Sequence, residues 1–151
     1  VSGREVAVRF TVAPEFSDLG PPAYATADAA GADLRAAVAS PLVVPPGGRA
    51  VVPTGLTLEI PPGFEAQVRA RSGLALAKGL ALANGVGTID ADYRGEVGVL
   101  VVNLGTEPVT IARGDRIAQL VVAPVARAVF TRADALAGSA RGSGGFGSTG
   151  A

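Results

Sequence analysis

The sequence predicts an all-β domain of sandwich or jelly-roll type. Three observations carry that expectation. Apolar residues come in short runs, cut at close and fairly regular intervals by Gly- and Pro-rich turns. One run alternates apolar with polar side chains at the period of a half-buried strand. Only residues 73–78 have the character of a helix, and a short one.

Taken in order, residues 6–10, 43–44, 50–52, 56–60, 64–68, 97–102, 109–112, 117–122 and 125–130 read as strands. The turns between them include Pro45-Pro46-Gly47-Gly48, Pro61-Pro62-Gly63, Arg94-Gly95 and Arg113-Gly114-Asp115. Thr54, Thr57 and Glu59 alternate with Leu56, Leu58 and Ile60, which predicts one wet and one buried face. Val99 to Val102 is apolar without alternation, so that strand is expected to be covered on both faces, in a sandwich core or a subunit interface. The Arg-Gly-Asp turn reads as a turn and not as an adhesion signal. No internal repeat is evident. Residues 1–137 form the expected β domain. Residues 138–151 change character to Gly, Ser, Thr and Ala with one Arg and one Phe, and form the expected flexible arm.

Composition narrows the chemistry. With 151 residues, 48% hydrophobic and 17% charged, the chain suits a single folded domain. Thirteen basic and thirteen acidic residues cancel, so no global field favours a nucleic-acid polymer. No apolar stretch is long enough to span a membrane and no signal peptide is visible, so a cytoplasmic location is expected. The chain has no Cys and no His, and Lys78 is its only lysine. Zinc sites of the Cys/His type, Ser-His-Asp triads and Cys-His dyads are excluded, and no Gly-Lys pair offers a Walker-type phosphate loop. A catalytic base here is expected to be Asp or Glu.

Four segments and the arm could carry function. In residues 84–96, Gly85 and Gly87 permit a tight hairpin, Asp90 and Asp92 supply carboxylates, and Tyr93 supplies a ring. A hairpin with a solvated acidic tip fits the same residues. Arg71-Ser72-Gly73 follows a strand and opens the helix. Ser72 suits an N-cap, the helix start offers free N–H groups to an anion, and Arg71 adds a bidentate donor. An ordinary capped helix is the plainer account. Asp33 sits in an apolar strand, where it could hold a metal's water shell or pair with an arginine. Gln119 follows the Arg-Gly-Asp turn and could reach a ligand or be satisfied within the fold. In the arm, Arg141, Phe146, Ser148 and Thr149 are residue types able to fold over an aromatic anion, and Gly-rich backbone can wrap a phosphate. Spacing alone does not separate Asp90 from Asp92.

Five stretches, AGADLRAA from Ala30, RSGLA from Arg71, NGVGTIDADYRGE from Asn84, RGDRIAQL from Arg113 and RGSGGFGSTG from Arg141, resemble the five ordered motifs of trimeric dUTP pyrophosphatases (dUTPases). The resemblance spans nearly the whole chain, about residues 24–150. Ser143 and Val86 stand where the family varies. The resemblance implies a jelly-roll homotrimer with three active sites, each drawing on all three chains. One chain gives Asp33, Arg71, Ser72, Gly73 and Gln119, a second the hairpin from Asn84 to Tyr93, and the third the arm.

The implied reaction is hydrolysis of dUTP to dUMP and pyrophosphate, which keeps uracil out of DNA and supplies dUMP for dTMP synthesis. Asn84, Gly87, Thr88, Ile89 and Gly98 would form the uracil site, and Tyr93 would pack under the deoxyribose and exclude a ribose 2′-OH. The resemblance selects Asp90 to activate the water that attacks the α-phosphorus. A carboxylate can orient and partly deprotonate water. Arg71, Ser72, Gly73 and Gln119 would hold the phosphates. Mg²⁺ would ride on the triphosphate, with Asp33 acting through water or by positioning. Phe146 would cover the uracil, and Arg141, Gly147, Ser148 and Thr149 would clamp the γ-phosphate. A dCTP deaminase shares this fold, but the Asp90–Tyr93 segment and the Phe146 arm match the hydrolase. A binding module with a dead site is disfavoured by the intact Asp90.

Overall fold

The computed structural model describes residues 5–146 and 148. Among these, the strands are β1 (Arg9–Val12), β2 (Ala23–Tyr24), β3 (Ala32–Arg35), β4 (Leu42–Val44), β5 (Arg49–Glu59), β6 (Phe64–Ala70), β7 (Leu80–Leu82), β8 (Gly87–Ile89), β9 (Glu96–Asn103), β10 (Val109–Ile111) and β11 (Arg116–Pro124). A helix, α1 (Ser72–Lys78), lies between β6 and β7, and a 3-10 turn covers Pro14–Leu19. The strands form sheets of order β1-β5-β9-β7, β10-β4 and β2-β3-β11-β6-β8, antiparallel throughout. All three sheets bury side chains in one cluster, including Leu34, Val44, Val52, Leu58, Val68, Val99, Ile111 and Leu120. That is a sandwich, as the alternating and β-branched runs predict.

The core is aliphatic. Its only buried polar side chains among the described residues are Asp33, Thr54 and Asn103. Asn103 is fully buried at the end of β9. Its amide donates to the carbonyls of Val44 (2.9 Å) and Glu107 (2.8 Å) and accepts from the Gly105 N–H (2.9 Å). One side chain thereby ties β4 to the turn before β10. Asn103→Ala leaves the buried Val44 carbonyl and two part-buried groups without this partner and is expected to destabilise the fold by about 2 kcal/mol. Urea unfolding reads this, and an unchanged midpoint would refute it.

Several expectations are corrected. The predicted strands at 50–52 and 56–60 are one strand, β5. Its pairing with β9 jumps from Pro53 opposite Gly98 to Thr57 opposite Glu96, so β5 carries two extra residues. Gly55 takes φ +67° in this bulge, a conformation glycine adopts without strain. Thr54 shares the inward face of Val52, Leu56 and Leu58, as a period of two requires, and its hydroxyl donates to the Val97 carbonyl at 2.6 Å. Leu56, Leu58 and Ile60 are buried as expected. Residues 125–130 form no strand: Val125 N–H bonds Gly63 O, and the side chains beyond are exposed. A strand needs a partner, and no described strand runs alongside.

The strand β9 is buried on one face within the chain, through Val97, Val99 and Val101. Leu100 and Val102 on the other face are half-buried, and Val51, opposite Leu100, is 63% exposed. The Arg-Gly-Asp turn lies at the surface and is held by contacts within the chain. Arg113 pairs with Asp18 (2.5 Å) and stacks 4.7 Å from the centre of the Phe16 ring, while Asp115 accepts from Ala112 N–H. At the other sheet edge Arg9 pairs with Glu59, and that hydrogen bond draws the Glu59 carboxyl below its ordinary value. Its small contribution is therefore present at neutral pH and lost on acidification.

Candidate active site

Residues 84–96 do not form the expected hairpin. The strand β7 pairs with β9, whereas β8 pairs with β6 in the other sheet. The segment therefore crosses the sandwich at Asn84 and returns through the turn before β9. Buried Leu82 and Ile89 anchor its two ends in the common core, which a hairpin extending into solvent would not allow. Gly85, with φ +72°, makes the first crossing sharp. Gly87 is needed for closeness: a Cβ there would lie 3.2 Å from the Val68 side chain and 3.3 Å from the Asn84 amide.

Between the two crossings lies a pocket lined by Val68, Asn84, Gly87, Thr88, Ile89, Asp90, Tyr93, Glu96, Val97 and Gly98. At about 190 Å³ it holds one part of a ligand and not a whole nucleoside triphosphate. Seven of the residues expected from sequence meet here: Asn84, Gly87, Thr88, Ile89, Asp90, Tyr93 and Gly98. Val68, Glu96 and Val97 were not foreseen, because nothing in a sequence marks which core strand forms a pocket wall. Asp90 is exposed, and its carboxylate has no protein partner among the described residues. Asp92 does not line this pocket. The turn is braced from within. Tyr93 N–H bonds Asp90 O (3.1 Å), Tyr93 hydroxyl donates to Glu96 O (3.0 Å), and Arg94 donates to the carbonyls of Ala91 and Tyr93.

A second cluster gathers around Asp33. In the β3–β11 register Asp33 lies opposite Gln119, so both side chains project from one face. Asp33 is 8% exposed. It meets Arg71 Nε at 3.4 Å and Gln119 Nε2 at 3.4 Å through Oδ1, and Arg116 Nη1 at 3.1 Å through Oδ2. Arg71 also donates to the Arg116 carbonyl at 2.9 Å. Of the two readings of Asp33, the pairing with arginine is the arrangement observed. Arg116 was missed in the sequence. A register shift between Arg116 and Ala118 reverses the alternation and turns its side chain to the Gln119 face, a bulge that no residue pattern announces. The helix begins one residue earlier than expected, and its N-cap is Arg71, not Ser72. The Ser72 hydroxyl has no partner among the described residues, and the first-turn N–H groups lack intrahelical acceptors. None of this cluster lines the pocket.

The described part of the arm bonds only to itself: Arg141 Nε donates to Gly144 O (2.7 Å) and Ser148 N–H to Gly145 O (3.0 Å). Phe146 is fully exposed. Gly147 and Thr149, expected in the phosphate clamp, lie outside the described residues. Among the described residues no three His, Cys, Asp or Glu side chains are grouped to hold a metal ion, and both Asp33 oxygens face guanidinium or amide groups.

The family model described as dUTPase matches residues 19–150. The chain belongs to the dUTPase family. It is 61% identical over 140 residues to the deoxyuridine 5'-triphosphate nucleotidohydrolase of Methylocella silvestris, covering 91% of this chain and 88% of that one. It is 63% identical over 129 residues to the same-named protein of Anaeromyxobacter sp., covering 85% and 86%. In fold it is similar to the dUTPase of Staphylococcus bacteriophage 80alpha with dUPNHPP (TM-score 0.87, 24% identity, 96% of this chain and 99% of that one). It is also similar to a mutant dUTPase of phage phi11 of S. aureus (TM-score 0.76, 22% identity, 85% and 97%), described as revealing the coordination of a structural Mg(II) ion. These likenesses place the sandwich among dUTPase folds.

Proposed function

We propose that the chain hydrolyses dUTP to dUMP and pyrophosphate, with Asp90 as general base. The observation that carries this reading is the Asp90 carboxylate, without a partner among the described residues, beside a pocket that also offers Asn84, Thr88 and Tyr93. A free carboxylate can hold a water and accept its proton as the water attacks the α-phosphorus. The small pocket takes the uracil. Its backbone walls at Gly87 and Gly98 leave no room for a 5-methyl group, and unpaired polar groups count against cytosine. Tyr93 packs under the deoxyribose and rejects a 2′-OH.

The triphosphate then lies on Arg71, Ser72, Gly73 and Gln119. Asp33 fixes Arg71 and Gln119 in place, a preorganisation that spares the site this cost during the reaction. Mg²⁺ would come with the substrate, held by its phosphates and offsetting their charge; both Asp33 oxygens face Arg71, Gln119 and Arg116, so Asp33 would act by positioning these donors.

The pocket and the Asp33 cluster are separate on one chain, which supports a homotrimer whose sites combine neighbouring chains. The half-buried Leu100 and Val102 beside exposed Val51 supply an apolar face for such contact. So do Val129, Phe130 and Leu136, each at least 90% exposed on the segment leading to the arm. The arm of residues 138–151 closes over the nucleotide through Arg141, Phe146, Gly147, Ser148 and Thr149. In a cell such activity removes dUTP and yields dUMP, in the compartment where nucleotides are made, the cytoplasm.

The test is a panel of dUTP, dCTP, dTTP and UTP with and without Mg²⁺. Pyrophosphate from dUTP alone is the expected result. Ammonia released from dCTP would replace the reading with deamination, and no product from dUTP would leave a binding module.

A further inference from the structure

Gly95 follows Arg94 in the turn that carries Tyr93. Its φ lies outside the left-handed region, so the backbone there is open to any residue. Space is what reserves the position. A Cβ on Gly95 would fall 2.5 Å from Tyr93 Cζ and 2.9 Å from Cε2, and closer still to the hydroxyl. The ring lies directly against the bare α-carbon.

The ring cannot slide away without cost. Its hydroxyl donates to Glu96 O at 3.0 Å. Glu96 is itself fastened to the neighbouring strand, where its carboxylate accepts the Gly55 N–H at 2.8 Å. That N–H belongs to the β5 bulge. The bulge holds Glu96, Glu96 holds the Tyr93 hydroxyl, and the missing side chain of Gly95 leaves room for the ring between them. We propose that Gly95 is a positioning residue for sugar selectivity: it seats the Tyr93 ring at the pocket wall, so that the ring meets the 2′ carbon of the nucleotide. This rests on the sugar-filter reading of Tyr93. Gly95 touches no substrate and acts only through Tyr93.

A methyl group at 95 forces Tyr93 into another rotamer, breaks its bond to Glu96 and opens space beside the sugar. The readout is the ratio of kcat/KM for dUTP to that for UTP, which a merely structural role would not move. In Gly95→Ala the ratio is expected to fall by about tenfold. Tyr93→Ala is expected to lower it at least as far, and Tyr93→Ala with Gly95→Ala to match Tyr93→Ala alone, since no ring remains to displace. A parental ratio in Gly95→Ala, or a further fall in the double variant, overturns the inference. An unchanged ratio in Tyr93→Ala instead removes the filter reading beneath it. Should Gly95→Ala fail to fold, the double variant decides: restored folding locates the clash at the ring, and continued misfolding overturns the inference.

Discussion

Asp90→Asn is expected to lower kcat for dUTP by about 10³-fold while leaving the affinity for a non-hydrolysable dUTP analogue within a few-fold of the parent's. The amide keeps the size and shape of the carboxylate and loses its charge and basicity. Because the Asp90 carboxylate makes no bond to the rest of the described chain, the substitution removes no structural contact, and an unfolding midpoint near the parent's is expected with it. The backbone carbonyl of Asp90, which accepts from Tyr93 N–H, is untouched. A steep loss of rate with intact binding and folding therefore points to the chemical step. Asp92→Asn is the control. Asp92 lies two residues on and outside the pocket lining, so its loss is expected to cost no more than a few-fold. Near-normal turnover in Asp90→Asn would remove it as the base, and a steep loss in Asp92→Asn would move the assignment there.

What could be read in advance follows from how local each signal is. Alternation and turn residues are local, so the sandwich and the short helix were legible from Leu56-Thr57-Leu58 and Pro61-Pro62-Gly63. The absence of His and Cys is a property of the whole chain, and it pointed to a carboxylate base before any geometry was known. Register is not local. The two glycines of residues 84–96 read as a hairpin, because nothing in the segment states that β7 and β8 pair in different sheets. The same limit hid the β5 bulge and the place of Arg116 beside Asp33. Asp33 itself stood out as a charge in an apolar strand, but its partners come from residues 71, 116 and 119, far along the chain. Residues 125–130 have the composition of a strand, but composition does not supply a pairing partner, and no described strand lies alongside.

Deleting residues 139–151 is expected to lower the rate of dUTP hydrolysis on the order of 10²-fold with the same oligomeric state. The described residues of the arm bond to each other and to no part of the β domain, so their loss leaves the aliphatic core and the Asn103 network whole. On the proposed reading, what is lost is a cover over the bound nucleotide that would exclude bulk water and hold the phosphates in line with the attacking water. Rate at saturating dUTP and mass by sedimentation read the two halves of the expectation. An unchanged rate would make the arm a plain tail, and dissociation would place it in the subunit contact instead. Which chain the arm serves can be read by mixing. A chain lacking 139–151 has Asp90 but no arm, and full-length Asp90→Asn has the arm but no base. If the arm reaches a neighbour, mixed oligomers of these two nearly inactive chains would contain sites with both parts, and activity returns on co-refolding. If it folds over its own chain, no mixture contains a complete site and activity stays at the sum of the two.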